Sequence, residues 1–257
     1  MGLLDILGIF GSATSKAEQA AMGPFLRTKK KGKRDLQKKC IDFLYDVEMP
    51  RKKGCFGKTE IVGMYSGNKL MSMSEYKSAV YAAIKEMDFK KKALERIGLD
   101  ESQVSEIPPI NVSYFELKGD GVATKSKETD VAGVWETVSN KYHVAWVFFS
   151  DKQIYTYEYT YDSTSDDSYE YTRDFFYGDV TCIRTEHETV EKIIERKELT
   201  GCINKKEESK FFHHNLEYSS FYITVPDDSF SFHCAMTDTL EQSIQAAKAM
   251  IREKKNG

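Results

Sequence analysis

The sequence is short of nearly everything that would assign it at once. No apolar run reaches the roughly 18–20 residues that a membrane-spanning helix needs, so no helical span is expected. The five cysteines, Cys40, Cys55, Cys182, Cys202 and Cys234, are odd in number, widely spaced and without a CxxC pair. That argues against a disulfide framework or a zinc site, and for reduced thiols in a cytoplasmic protein. A net charge of −3 implies no general affinity for polyanions. The opening MGLLDILGIF lacks the basic flank of a secretory signal, and Asp5 interrupts it. It also misses the myristoylation pattern, because Ile6 stands where Ser or Thr is required. Gly57-Lys58-Thr59 looks like the end of a phosphate loop, but Lys52 occupies the place of the required first glycine.

Chemistry-bearing constellations are equally scarce. His213 and His214 are adjacent, so on a strand they point to opposite faces, and His233-Cys234 meets the same obstacle. Cys182 and His187 are too far apart on a strand to chelate alone. Asp166-Asp167 and Asp227-Asp228 sit in turn contexts, which favour Asp for its backbone hydrogen bonds. No catalytic residue, metal site or cofactor is expected.

What is present is organisation. Residues 1–60 hold thirteen Lys/Arg against seven Asp/Glu, a net of +6, which leaves −9 for the remainder of a chain totalling −3. Residues 2–22 read as a short apolar helix with an alanine-rich continuation, broken at Gly23-Pro24. Then comes the basic run Lys29, Lys30, Lys31, Lys33, Arg34. A helix over about 34–48 follows, and residues 50–70 are loop-like. Ser72 and Glu75 have capping-box spacing, Asp88 opens a second helix stopped by Gly98, and Asp100 starts a short third one. Strand patterns cover 111–118, 142–149, 153–162, 169–177, 180–185, 219–225 and 230–235, while 189–199 is ambiguous between helix and strand. Asp238 and Glu241 have capping-box spacing before a final helix with the apolar stripe Leu240, Ile244, Ala247 and Ile251. Three parts result: an apolar and basic segment (1–33), a helical domain (34–107) and a β domain with its C-terminal helix (110–255).

Two features carry the functional expectations. Leu3, Leu4, Ile6, Leu7 and Phe10 make a helix too apolar for water and too short to span a bilayer. Beside Lys29, Lys30, Lys31, Lys33 and Arg34 it suits the inner face of a membrane, or it packs on its own domain or on a second copy. The other feature is a hairpin in which Tyr155, Tyr157, Tyr159 and Tyr161 recur at period two, with Tyr169 and Tyr171 resuming after a polar turn. Its interleaved residues, Thr156, Glu158 and Thr160, are not basic, so nucleic acid is not the expected partner. The tyrosines either stabilise a long ribbon through cross-strand pairs or present a surface to a protein or peptide.

The order of elements, seven or so antiparallel strands and one closing helix, resembles a pleckstrin-homology-like domain of the bacterial group. The resemblance lies in VAWVFFSDKQIYTYEYT, FFYGDVTCI and FSFHCAMTDTLEQSIQAAKAMI, and covers roughly the last 145 residues. It implies an α+β fold: a helical N-terminal region, then a two-sheet open barrel closed by a C-terminal amphipathic helix. It also implies a scaffold for protein, peptide or lipid contacts. Phosphoinositide binding would need a basic first loop, where only Lys118, Lys125 and Lys127 are scattered. The expectation is a non-enzymatic binding protein; the alternatives are a self-assembling subunit, which would make it a homo-oligomer, or an enzyme with a site between the helical and β parts.

Overall fold

The computed structural model describes residues 29–45, 51–53, 59–61, 71–104, 107–117, 121–126, 135–165, 167–200 and 206–256. Within these the chain is α+β, with four α-helices and three sheets, none closed into a barrel.

Three helices come first. Helix α1, Asp35–Tyr45, buries Cys40, Ile41, Phe43, Leu44 and Tyr45. Helix α2, Met73–Ile84, opens on a complete capping box: Ser72 Oγ accepts from the Glu75 amide, and a Glu75 carboxylate oxygen accepts from the Ser72 amide. Its buried residues Met73, Tyr76, Val80 and Ile84 fall three or four positions apart, one stripe of the helix. Helix α3, Phe89–Ile97, is capped by Asp88 and stopped by Gly98, whose φ of 71° suits a residue without Cβ.

Strands β1 (Arg51–Lys53) and β2 (Thr59–Ile61) form a short antiparallel pair in the stretch expected to be loop. The central sheet consists of β3 (Ile110–Phe115), β6 (Lys141–Phe149), β7 (Gln153–Asp162) and β8 (Ser168–Phe176), in the order β3-β6-β7-β8. A separate hairpin, β4 (Val122–Ser126) with β5 (Trp135–Ser139), is inserted between β3 and β6. The second sheet is built from β9 (Cys182–Thr200), β10 (Lys206–Thr224) and β11 (Ser229–Cys234). Strand β1 joins that sheet, running parallel to the far end of β9. Between the six residue pairs that β10 shares with β11 and the contact of β9 with β1, β9 and β10 continue as a two-stranded ribbon.

The central sheet is buried on both faces. Tyr142, Val144 and Phe148 of β6 and Tyr157 and Tyr159 of β7 share a core with Phe43, Tyr76, Val80 and Leu94 of the helices. Phe43 stacks on Tyr76 at 4.6 Å, and the Tyr76 hydroxyl donates to the Ser139 carbonyl at 2.6 Å. The opposite face gives Ala145, Val147, Phe149, Ile154 and Phe175 to a second core with Phe221, Ile223, Phe230 and Phe232 of the second sheet. Helix α4, Asp238–Asn256, adds Ile244, Ala247 and Ile251 to that core. Its first turn is capped by Thr237, whose Oγ1 accepts from the Leu240 amide at 3.2 Å, one residue before the expected Asp238. Lys255 closes its other end by donating to the Val180 carbonyl at 2.6 Å.

Candidate binding surface

The β7–β8 register decides the fate of the tyrosine hairpin. Tyr169 lies opposite Thr160, and Tyr171 opposite Glu158. Directly opposed residues of an antiparallel pair project to the same face. Tyr169 and Tyr171 therefore share a face with Thr160 and Glu158, and oppose the face of Tyr155, Tyr157, Tyr159 and Tyr161. The six rings do not form one surface.

The first set lies under the helical layer. Tyr157 is 0% exposed and Tyr159 2%, while Tyr155 and Tyr161 pack half-buried against the same core. Phe89 of α3 meets Tyr159 at 5.2 Å, and the Lys92 ammonium sits 4.8 Å from the centre of that ring. A partner surface needs accessible area, and Tyr157 and Tyr159 have none. Their expected second role is corrected to packing between sheet and helices. Tyr169 and Tyr171 are 49% and 55% exposed, and so keep the surface role open to them.

Those two rings stand on a sheet edge. Among the described residues β8 pairs with β7 alone. An edge strand leaves alternate N–H and C=O groups pointing outward, and natural proteins usually blunt such edges with Lys, Pro or a bulge. Strand β8, SYEYTRDFF, has neither Lys nor Pro across nine residues. It adds a third exposed aromatic, Phe176.

The charges along this edge are turned inward. Glu170 is held by Lys92 and, at 2.8 Å, by Arg96 of α3. Partial burial raises the Glu170 carboxyl, and the two cations more than reverse this, leaving it below the usual carboxylate range. Arg173 is held by Glu158 at 2.7 Å and Asp228 at 3.4 Å. Asp167, Asp174 and Asp179 are exposed, with no cation partner among the described residues. Among the described residues Asp174 accepts from Gln153, at 3.2 Å.

The inner face of the central sheet changes character along its length. The row Phe149, Ile154, Phe175 is apolar, whereas the row His143, Thr160, Tyr169 is polar. Near that polar end Tyr114 stacks on His143 at 5.0 Å and meets His233 edge-on at 5.6 Å. His143 Nδ1 lies 3.0 Å from Thr160 Oγ1, and His233 Nδ1 lies 2.9 Å from Ser220 Oγ. Burial, with Lys141 and His233 adding to it, pushes the His143 imidazolium down to about 4, so the ring is neutral at pH 7. Burial likewise keeps the Tyr114 phenol protonated. A neutral imidazole beside a neutral phenol is a hydrogen-bonded packing unit. Sequence spacing could not have found it, because its members come from β3, β6 and β11.

Other expectations fall as follows. Leu3, Leu4, Ile6, Leu7 and Phe10 lie outside the described residues, as do Gly57 and Lys58. The basic run folds partly onto α1. Lys29 donates to the Tyr45 hydroxyl at 2.7 Å and Lys30 pairs with Asp42, while Lys31 and Arg34 are exposed and Lys33 is half-buried. No helix among the described residues is long and apolar enough to cross a membrane. No cluster of three metal-ligating side chains occurs among them. A cleft of about 10 Å³ opens between α1, α2 and the end of β7, lined by Leu36, Cys40, Val80 and Tyr161. That is below the roughly 300–1,000 Å³ of a drug-sized ligand site. No family model, curated protein or solved structure matches the chain.

Proposed function

We propose that the chain is a binding module that receives an extended segment of a protein partner along β8. The observation that carries this reading is a nine-residue edge strand bearing three exposed aromatics and no Lys or Pro. Strand addition draws affinity from main-chain hydrogen bonds and specificity from alternate side chains. An edge flanked by aromatic rings supplies both. We read the β half as a pleckstrin-homology-like scaffold. In support, β3, β6, β7 and β8 make a four-stranded meander, β9, β10 and β11 make a three-stranded one, and α4 packs on the core between them. The β4–β5 insertion and the long β9–β10 ribbon would be this chain's own additions to that plan. The reading is recognition rather than catalysis.

An array of nine-residue peptides, probed with the wild type and with a Tyr169→Ser/Tyr171→Ser variant, tests this. Peptides retained by the wild type should be lost by the variant. A binding profile indifferent to both substitutions would remove β8 from consideration.

A further inference from the structure

We infer that the segment received by β8 is basic; the inference rests on the edge-strand reading above. Both kinds of cation near the edge are already committed. Lys92 and Arg96 hold Glu170, and Arg173 is shared by Glu158 and Asp228. The carboxylates of Asp167, Asp174 and Asp179 remain exposed with no cation partner among the described residues. The edge therefore presents uncompensated negative charge.

The geometry assigns that charge to both faces of an incoming strand. Alternation puts Tyr169, Tyr171 and the ion-paired Arg173 on one face of β8, and Asp174 on the other with Phe176, while Asp167 immediately precedes the strand at the Tyr169 end. Side chains two apart on an added strand would meet Tyr169 and Tyr171 in turn, since both strands share the same rise per residue. A Lys or Arg opposite Tyr169 faces an aromatic ring near Asp167, which combines cation–π attraction with charge neutralisation. Apolar side chains on the other face would meet Phe176. The fitting ligand alternates Lys or Arg with apolar residues.

The same charges disfavour a second copy as occupant. Two β8 edges paired antiparallel would set an acidic edge against an acidic edge, which opposes association.

Three nine-residue peptides, alternating Lys–Val, Gln–Val and Glu–Val, separate the outcomes on the full chain. The Lys–Val peptide should bind at least about tenfold more tightly than the Gln–Val one, weaken as salt rises, and slow hydrogen exchange at residues 168–176. A D167K/D174K variant, altered only at exposed positions, should reverse the order of the Lys–Val and Glu–Val peptides. If Gln–Val or Glu–Val binds as tightly as Lys–Val, still protects β8 and is still lost on Tyr171→Ser, the basic chemistry is overturned and the edge reading stands. Failure of all three peptides to protect β8 overturns both. A dimer abolished by Tyr171→Ser would make a second copy the occupant and overturn the inference.

Discussion

Two buried tyrosines differ only in what their hydroxyls touch. Tyr76 donates to the Ser139 carbonyl and lies 2.9 Å from Ser163 Oγ, joining α2 to the β5–β6 turn and the end of β7. Tyr157 is as fully buried, but its hydroxyl has no partner among the described residues. Removing a bonded hydroxyl strands its acceptor, while removing an unbonded one relieves a desolvated group. Tyr76→Phe should cost about 1–2 kcal/mol in urea unfolding, and Tyr157→Phe should be neutral or stabilising. His143 gives a pH dependence. Its folded pKa of about 4 lies below the unfolded value near 6.5. The unfolded chain therefore takes up the proton first as pH falls. The stability tied to the neutral ring is complete above pH 6.5 and is lost progressively towards pH 4, by up to about 3 kcal/mol. Replacing His143 with Asn should flatten that part of the stability–pH curve, and an unchanged curve would place the acid sensitivity elsewhere.

Elements with strong local signals were readable from the sequence. The Ser72 capping box, the Asp88 cap, the Gly98 stop and the exact span of β7 all follow from residues within one turn or one period of each other. Ser72→Ala should cost about 1 kcal/mol of thermal or urea stability, because the Glu75 amide in the first turn of α2 loses its side-chain acceptor. Elements held by distant partners were not readable. The β4–β5 hairpin lies within residues that carry little alternation. Strands β9 and β10 run far past the expected 185 and 219, each paired along its whole length with the other's backbone. That pairing makes another expectation. A two-stranded ribbon without a third strand is marginal in water. Amides of β10 should therefore exchange faster over residues 211–217 than over 219–224, where β11 adds a third strand. Equal protection along β10 would indicate that another layer covers the ribbon. For the site, the tyrosines were legible as residues but not as surfaces. Period two gives a face within one strand, yet only the register across the turn tells which face of β8 matches which face of β7.

At the scale of the whole molecule the central sheet serves two cores at once. Its helix-facing side buries Val144, Phe148, Tyr157 and Tyr159, each contributing about 1.5–3 kcal/mol when shielded from water. A chain beginning at residue 107 would leave that side bare. It should bind a hydrophobic dye or aggregate, and a soluble monomer with the full-length melting temperature would refute the dependence. The ion pairs of Glu170 extend the dependence to the edge strand. Glu170 belongs to β8, while Lys92 and Arg96, which grip it, belong to α3. Any twist imposed on β8 from outside is thus resisted by a rod two layers thick, and the load passes to α3. Docking at the rim of the sheet would be felt mechanically in the helical layer beside it, through one carboxylate acting as the coupling pin.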